Sequence, residues 1–252
     1  MAEIIGSTSP AIAFSSPTSI HDDSAIDVWL LDLSEFNKPL AYDQILSPAE
    51  INRAQRFTRR QHNFLTTRVF LRRVLSLYTQ QTAAALAFGQ TPEGKPYLLN
   101  TNLHFNLSHT AHYAALAVSH KGAVGADIET IQPRNFLMIA ERYFHPSETQ
   151  QLRVCKDAER PELFFKLWTL KEAFLKALGG GISTGLDKAI FTFAESDIHA
   201  EVAESLGVNT CQWQFEHAQL NTHTVIAIAH QIAEQSNTKC RWFDGNHLLQ
   251  AS

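Results

Sequence analysis

The same short strings occur twice along this chain, roughly one hundred residues apart, so any fold must accommodate two similar units. Ser47-Pro48-Ala49-Glu50 resembles His145-Pro146-Ser147-Glu148. In each, a proline in the first turn with an acid just after it marks a helix start. An amphipathic helix follows in both halves, and Phe70-Leu71-Arg72 aligns with Phe174-Leu175-Lys176 at an offset of 104. Strand-like strings come next. Ala115-Leu116-Ala117-Val118 aligns with Val225-Ile226-Ala227-Ile228, and Leu103 and Phe105 with Trp213 and Phe215, all at an offset of 110. Segments 103–118 and 213–229 each read as a hairpin. The pattern predicts an α+β pseudo-dimer of two similar α/β halves, each a helix packed on a small antiparallel sheet. The expected division is a loose tail at 1–24, an N-terminal half at 25–125 and a C-terminal half at 126–252. Duplicated halves favour a site in the cleft between them.

Composition narrows the class. With 252 residues, 44% hydrophobic and 18% charged, the chain has enough apolar residue for one large core or two smaller ones. No apolar run approaches membrane-spanning length. The first lysine or arginine is Lys38, so neither a secretory nor a transit leader is expected. Three widely separated cysteines, Cys155, Cys211 and Cys240, do not make a disulfide framework and fit a reducing cytoplasm. The net charge of −4 hides a basic region. Between Ile51 and Pro92 there is no acid, but there are Arg53, Arg56, Arg59, Arg60, Arg68, Arg72 and Arg73. An ordinary solvated helix face intersperses both signs, so this region points to an anionic partner.

Three polar clusters interrupt the apolar pattern. In Gly125-Ala126-Asp127-Ile128-Glu129 the two acids alternate along a strand and share a face. Such a pair is either open to water or holds a cation. In Trp168-Thr169-Leu170-Lys171-Glu172-Ala173-Phe174-Leu175-Lys176, helical spacing buries Trp168 and Leu175. The same spacing puts Glu172 and Lys176 on one side. Lys171 falls inside the apolar stripe. Gly179-Gly180-Gly181 then stops the helix and, lacking G-K-[ST], is not a phosphate loop. The third cluster, Phe105-Asn106-Leu107-Ser108-His109-Thr110, brings donors to a strand end, with the turn Gly94-Lys95-Pro96 nearby in sequence.

In this order the clusters resemble the three signature motifs of the surfactin-type 4'-phosphopantetheinyl transferase family, over about residues 45–230. Gly94-Lys95-Pro96 and the arginine-rich helix before it are also similar to that family. Ala126 stands where the family usually has a larger aliphatic residue. Glu50 stands where a cation often contacts the coenzyme, so that contact is not carried over. The resemblance implies a holo-acyl-carrier-protein synthase type of activity. Phosphopantetheine would pass from coenzyme A, the co-substrate, to a serine of an acyl or peptidyl carrier protein, with Mg²⁺ as cofactor. It implies Asp127, Glu129 and Glu172 as metal ligands, and Glu172 and Lys176 as catalytic groups, with Glu172 as base, ligand or both. It also implies Arg53, Arg68, Lys95, Ser108, His109 and Lys171 as coenzyme contacts. A monomer is expected, since one chain carries both halves; no nucleic acid or membrane partner is. A metal-dependent phosphodiester hydrolase and a non-catalytic nucleotide- or acidic-protein-binding module are the other readings of the same residues.

Overall fold

A computed structural model of the protein describes residues 12–16, 20, 25–36, 41–180, 185–194, 197–232 and 238–250. The first half contains β1 (Ile26–Asp32), α1 (Pro48–Ala54), α2 (Gln61–Leu77), β2 (Phe88–Gln90), β3 (Pro96–Leu98), β4 (His104–His109) and β5 (Tyr113–Ser119). The second contains β6 (Val124–Thr130), α3 (Phe136–Tyr143), α4 (Pro146–Val154), α5 (Arg160–Ala177), β7 (Ala189–Ala194), β8 (Asp197–Val202), β9 (Trp213–Asn221) and β10 (Thr224–Gln231). The described chain ends in β11 (Cys240–Asp244) and α6 (Asn246–Gln250). Both expected hairpins are present, as β4–β5 and β9–β10.

Four layers follow from the two-residue period of the strands. Trp29 and Leu31 of β1, and Leu116 and Val118 of β5, pack against Val69, Phe70 and Val74 of α2. Their alternates Val28, Leu30, Ala115 and Ala117 face the other sheet, meeting Ala126 and Ile128 of β6 and Ile226 and Ile228 of β10. The outer face of the second sheet, through Val225, Ala227 and Ala229, packs on Phe164, Leu170 and Phe174 of α5. The order is helix, sheet, sheet, helix. Full burial of one such Phe or Leu contributes about 1.5–3 kcal/mol.

The halves are less symmetric than the repeat suggests. The first sheet runs β11-β1-β5-β4 and the second β6-β10-β9. Strand β11 crosses back to lie parallel to β1, so the last described strand joins the first half's sheet. Of segment 1–24, Phe14 bridges Trp242 and Ile20 lies in the first core; most of the rest lies outside the described residues.

Both helix starts are real capping boxes. The Glu50 carboxylate accepts from Ser47 N at 2.9 Å, and that of Glu148 from His145 N at 3.2 Å. Each glutamate then meets a buried cation of the long helix in its half. Arg72 Nη2 lies 2.8 Å from Glu50 Oε2, and Lys171 Nζ lies 2.7 Å from Glu148 Oε2. These pairs relate the helices by 98 and 99 residues, not 104. Arg72 is thus the counterpart of Lys171, and the expected match of Arg72 to Lys176 is corrected.

Candidate active site at the meeting of β4, β6 and α5

Strand β6 lies directly against α5. At Gly125 an added Cβ would collide with the Ala173 carbonyl and the Ala177 amide nitrogen, so only glycine allows this approach. The strand alternation turns Ala126 and Ile128 toward the first sheet and Asp127 and Glu129 toward α5. Across the seam, β4 holds β6 by side chains. Ala126 N donates to Asn106 Oδ1 at 2.9 Å, and Ile128 N donates to Ser108 Oγ at 3.3 Å.

Asp127, Glu172 and Lys176 are brought together by these contacts. Lys176 Nζ lies 2.5 Å from Asp127 Oδ1 and donates to Ser108 Oγ at 3.3 Å. Ser108 Oγ donates to Asp127 Oδ1 at 3.1 Å. Two buried carboxylate oxygens, Asp127 Oδ2 and Glu172 Oε1, have no hydrogen-bond partner. Burial, then the charges of Asp127 and Glu129 against Lys176, push the Glu172 carboxyl up to about 7. Burial and Asp127 also raise Glu129, against Arg134, Lys176 and a hydrogen bond from Trp168. Arg134 Nη2 stands 3.7 Å from Glu129. Unshared acceptor oxygens on mutually repelling carboxylates suit a small hard cation such as Mg²⁺. The three acids do not close on one point here. Among the described residues, the group of His, Cys, Asp and Glu whose ligand atoms all come within 4.8 Å of one another is Glu216, His230 and Cys240. Lys176 takes the near oxygen of Asp127.

Beside this cluster, the end of β4 and the start of α2 enclose a cavity of about 620 Å³, lined by Phe57, Arg59, Arg60, Phe64 and His109, among others. His109 is exposed there, one residue from buried Ser108. A second cavity of about 580 Å³ is lined by Glu50, Arg53, Arg68 and Arg72. Arg59 and Arg60 were not singled out as coenzyme contacts from sequence; the acid-free arginine run was the signal that contained them.

Other expected coenzyme contacts have different surroundings. Lys171 is corrected: it is sealed in the core, donating to the carbonyls of Leu186 (2.9 Å) and Ala189 while paired with Glu148. The Ser108 hydroxyl is bonded to Asp127, Ile128 N and Lys176, so it positions the carboxylate–lysine pair. Lys95 donates to Ala177 O at 2.9 Å and Val124 O at 3.3 Å, tying the end of α5 to the start of β6. Burial lowers its ammonium to about 8. Arg68 lies 3.4 Å from Glu50, whose charge it shares with Arg72.

The junction before β6 is also where two family matches meet. Residues 33–121 match the 4'-phosphopantetheinyl transferase N-terminal model. Residues 123–229 match the 4'-phosphopantetheinyl transferase superfamily model. The chain is 37% identical over 171 residues to the Synechocystis protein slr0495, assigned as a 4'-phosphopantetheinyl transferase, covering 65% of this chain and 68% of that one. It is 37% identical over 145 residues to the Nostoc 4'-phosphopantetheinyl transferase HetI, covering 55% of this chain and 61% of that protein. To the Bacillus subtilis 4'-phosphopantetheinyl transferase Sfp it is 30% identical over 160 residues, 60% of this chain and 70% of Sfp. Two similar halves, a carboxylate–lysine cluster at their seam and these matches agree: the chain belongs to the 4'-phosphopantetheinyl transferase superfamily.

Proposed function

We propose that this chain moves the phosphopantetheine arm of coenzyme A onto a serine of an acyl or peptidyl carrier protein, at the cluster of Asp127, Glu129, Glu172 and Lys176. The observation that carries the reading is the pair of orphaned carboxylate oxygens, Asp127 Oδ2 and Glu172 Oε1, buried beside a lysine. Orphaned buried acceptors cost stability, and a site that needs a cation explains why they persist. Asp127, Glu129 and Glu172 would hold Mg²⁺. Bound there, Mg²⁺ would neutralise charge on the diphosphate and on the departing 3',5'-bisphosphate. Lys176 would stabilise the same charge. It stands 2.5 Å from Asp127. Glu172 would take the proton of the acceptor serine, hold the cation, or both. Arg59, Arg60 and His109, at the lip of the 620 Å³ cavity, offer charge and hydrogen bonds to the coenzyme's phosphates. Arg53 and Arg68 supply a second basic surface. Among the described residues no helix is long and apolar enough to cross a membrane. A monomer fits a chain that carries both halves.

The test is incubation with coenzyme A, Mg²⁺ and an apo carrier protein, read by intact mass. The expected result is one phosphopantetheine added to the carrier. Release of phosphopantetheine to water with the carrier unchanged would mark a hydrolase instead. No turnover of coenzyme A at all would leave a binding module.

A further inference from the structure

We propose that Glu216, His230 and Cys240 form a second metal site, distinct from the oxygen-only cluster at α5, that takes Zn²⁺ and clasps β11 to the second sheet. The register brings the three together. His230 extends the row of Ile226 and Ile228 on β10, which faces the first sheet. Glu216 stands opposite Ile228, and directly opposed residues share a face. Cys240 begins β11 opposite Ile26, which faces back across the same layer. A carboxylate oxygen, an imidazole nitrogen and a thiol sulfur thereby come within 4.8 Å of one another at one end of the inter-sheet core.

His230 is the independent sign. It is fully buried, and neither ring nitrogen has a hydrogen-bond partner. A buried imidazole with both nitrogens unpaired is destabilising, and a metal bond would satisfy one of them. The clasp is already half built. Cys240 N donates to Glu216 Oε1 at 2.8 Å, and Thr238 N to Gln214 Oε1 at 3.0 Å, so β9 grips the start of β11 by side chains.

The ligand types select the ion. Thiolate and imidazole favour Zn²⁺ over Mg²⁺, and three protein ligands leave a fourth position for an outside ligand. Zinc–ligand bonds of about 2.0–2.3 Å require the side chains to draw in by roughly 1 Å. Binding converts the Cys240 thiol to a thiolate and releases its proton to water, one per ion.

Cobalt distinguishes this site from the α5 cluster, because only a thiolate ligand gives the near-ultraviolet charge-transfer absorption. The full chain, with Mg²⁺ in excess, is titrated with Co²⁺. Wild type and a Cys155→Ser/Cys211→Ser double variant, whose single remaining thiol is Cys240, should both develop the band and saturate at one equivalent. One equivalent of Zn²⁺ should displace it and raise the melting temperature. Cys240→Ser should lack the band, and His230→Gln in the double-variant background should bind Co²⁺ at least tenfold more weakly. No saturable band in wild type or in the double variant overturns the proposal. So does unchanged binding in His230→Gln.

Discussion

Lys171 and Glu172 are neighbours in the chain and lie on different faces of α5, and the two faces treat charge in opposite ways. On one face, Lys171 meets Glu148 and two carbonyls, matching its three N–H donors. Glu148 in turn accepts from Phe191 N at 2.9 Å and from His145 N. Arg72 and Glu50 repeat the arrangement in the first half, with Arg72 Nη1 donating to Ala83 and Leu86 carbonyls at 2.9 Å each. On the other face, Glu172 and Asp127 each keep a buried oxygen unpaired. The difference teaches how to separate structural charge from functional charge inside one helix. A structural pair satisfies every donor and acceptor, whereas a working site leaves acceptors for something that arrives later.

The largest effect should come from breaking the satisfied face. Lys171→Met leaves the Glu148 carboxylate buried without its cation, at a cost of about 3–5 kcal/mol. Denaturant unfolding should show it, and adding Glu148→Gln should recover part of the loss. A Lys171→Met protein of native stability with impaired transfer would place Lys171 in the site and erase the contrast between the faces.

On the unsatisfied face the loss should be in rate. Lys176→Ala and Glu172→Gln should each lower kcat by roughly a hundredfold or more, about 3 kcal/mol of barrier, with circular dichroism unchanged. Asp127→Ala should do the same, and chelation should abolish transfer until Mg²⁺ is restored. Full activity in excess chelator would remove the cation from the reading.

The same face should also cost stability in a pH-dependent way. Unfolded, Glu172 sheds its proton near its ordinary value of 4.5; folded, it keeps it to about 7. Between those values the folded state holds the extra proton, so raising pH disfavours folding. In metal-free protein, Glu172→Gln should therefore be more stable than wild type by on the order of 1–3 kcal/mol at pH 8, with less advantage at pH 5. Mg²⁺ should narrow the gap at pH 8, because it favours the ionised carboxylate. Melting curves at both pH values test this, and a gap that shrank with rising pH would reverse the assigned sign.

Much of this contrast was legible in the sequence. Asp127 and Glu129 alternate on a strand, and Glu172 and Lys176 share a helix side, because both spacings are local. Lys171 was legible as an oddity in an apolar stripe but not as a structural cation, since its partner Glu148 lies on a separate helix. The repeat offset missed by five residues because it was anchored on Phe-Leu strings that any buried helix could carry. Glu50 and Glu148, read only as helix starts, were the better anchor, because each is fixed by both a cap and an ion pair. The return of β11 to the first sheet carries no local signal at all. It depends on parallel pairing with a strand more than two hundred residues earlier.

The smallest effect should come from the exposed basic surface, and it sharpens the comparison from the other side. Arg53 and Arg68 both lean on the Phe64 ring, each 5.8 Å from its centroid, and Phe64 lines the first basic cavity. Arg53 is exposed, whereas Arg68 is half-buried and tied to Glu50. An anionic coenzyme phosphate or an acidic carrier surface keeps its charge from ground state to transition state. A cation that meets it contributes uniform binding, which appears in KM and leaves kcat alone. Exposed ion pairs contribute at most about 1 kcal/mol, so Arg53→Ala should raise KM by no more than about fivefold. High salt should erase most of that difference, since exposed charges are screened. Arg68→Ala should also act on KM, with an added stability loss because Glu50 then depends on Arg72 alone. Lys176 differs because the oxygen it faces gains charge as the bond to phosphorus breaks. Steady-state kinetics at two salt concentrations separate the cases. If Arg53→Ala or Arg68→Ala lowered kcat as far as Lys176→Ala with KM unchanged, the chemistry would extend beyond the unsatisfied face of α5.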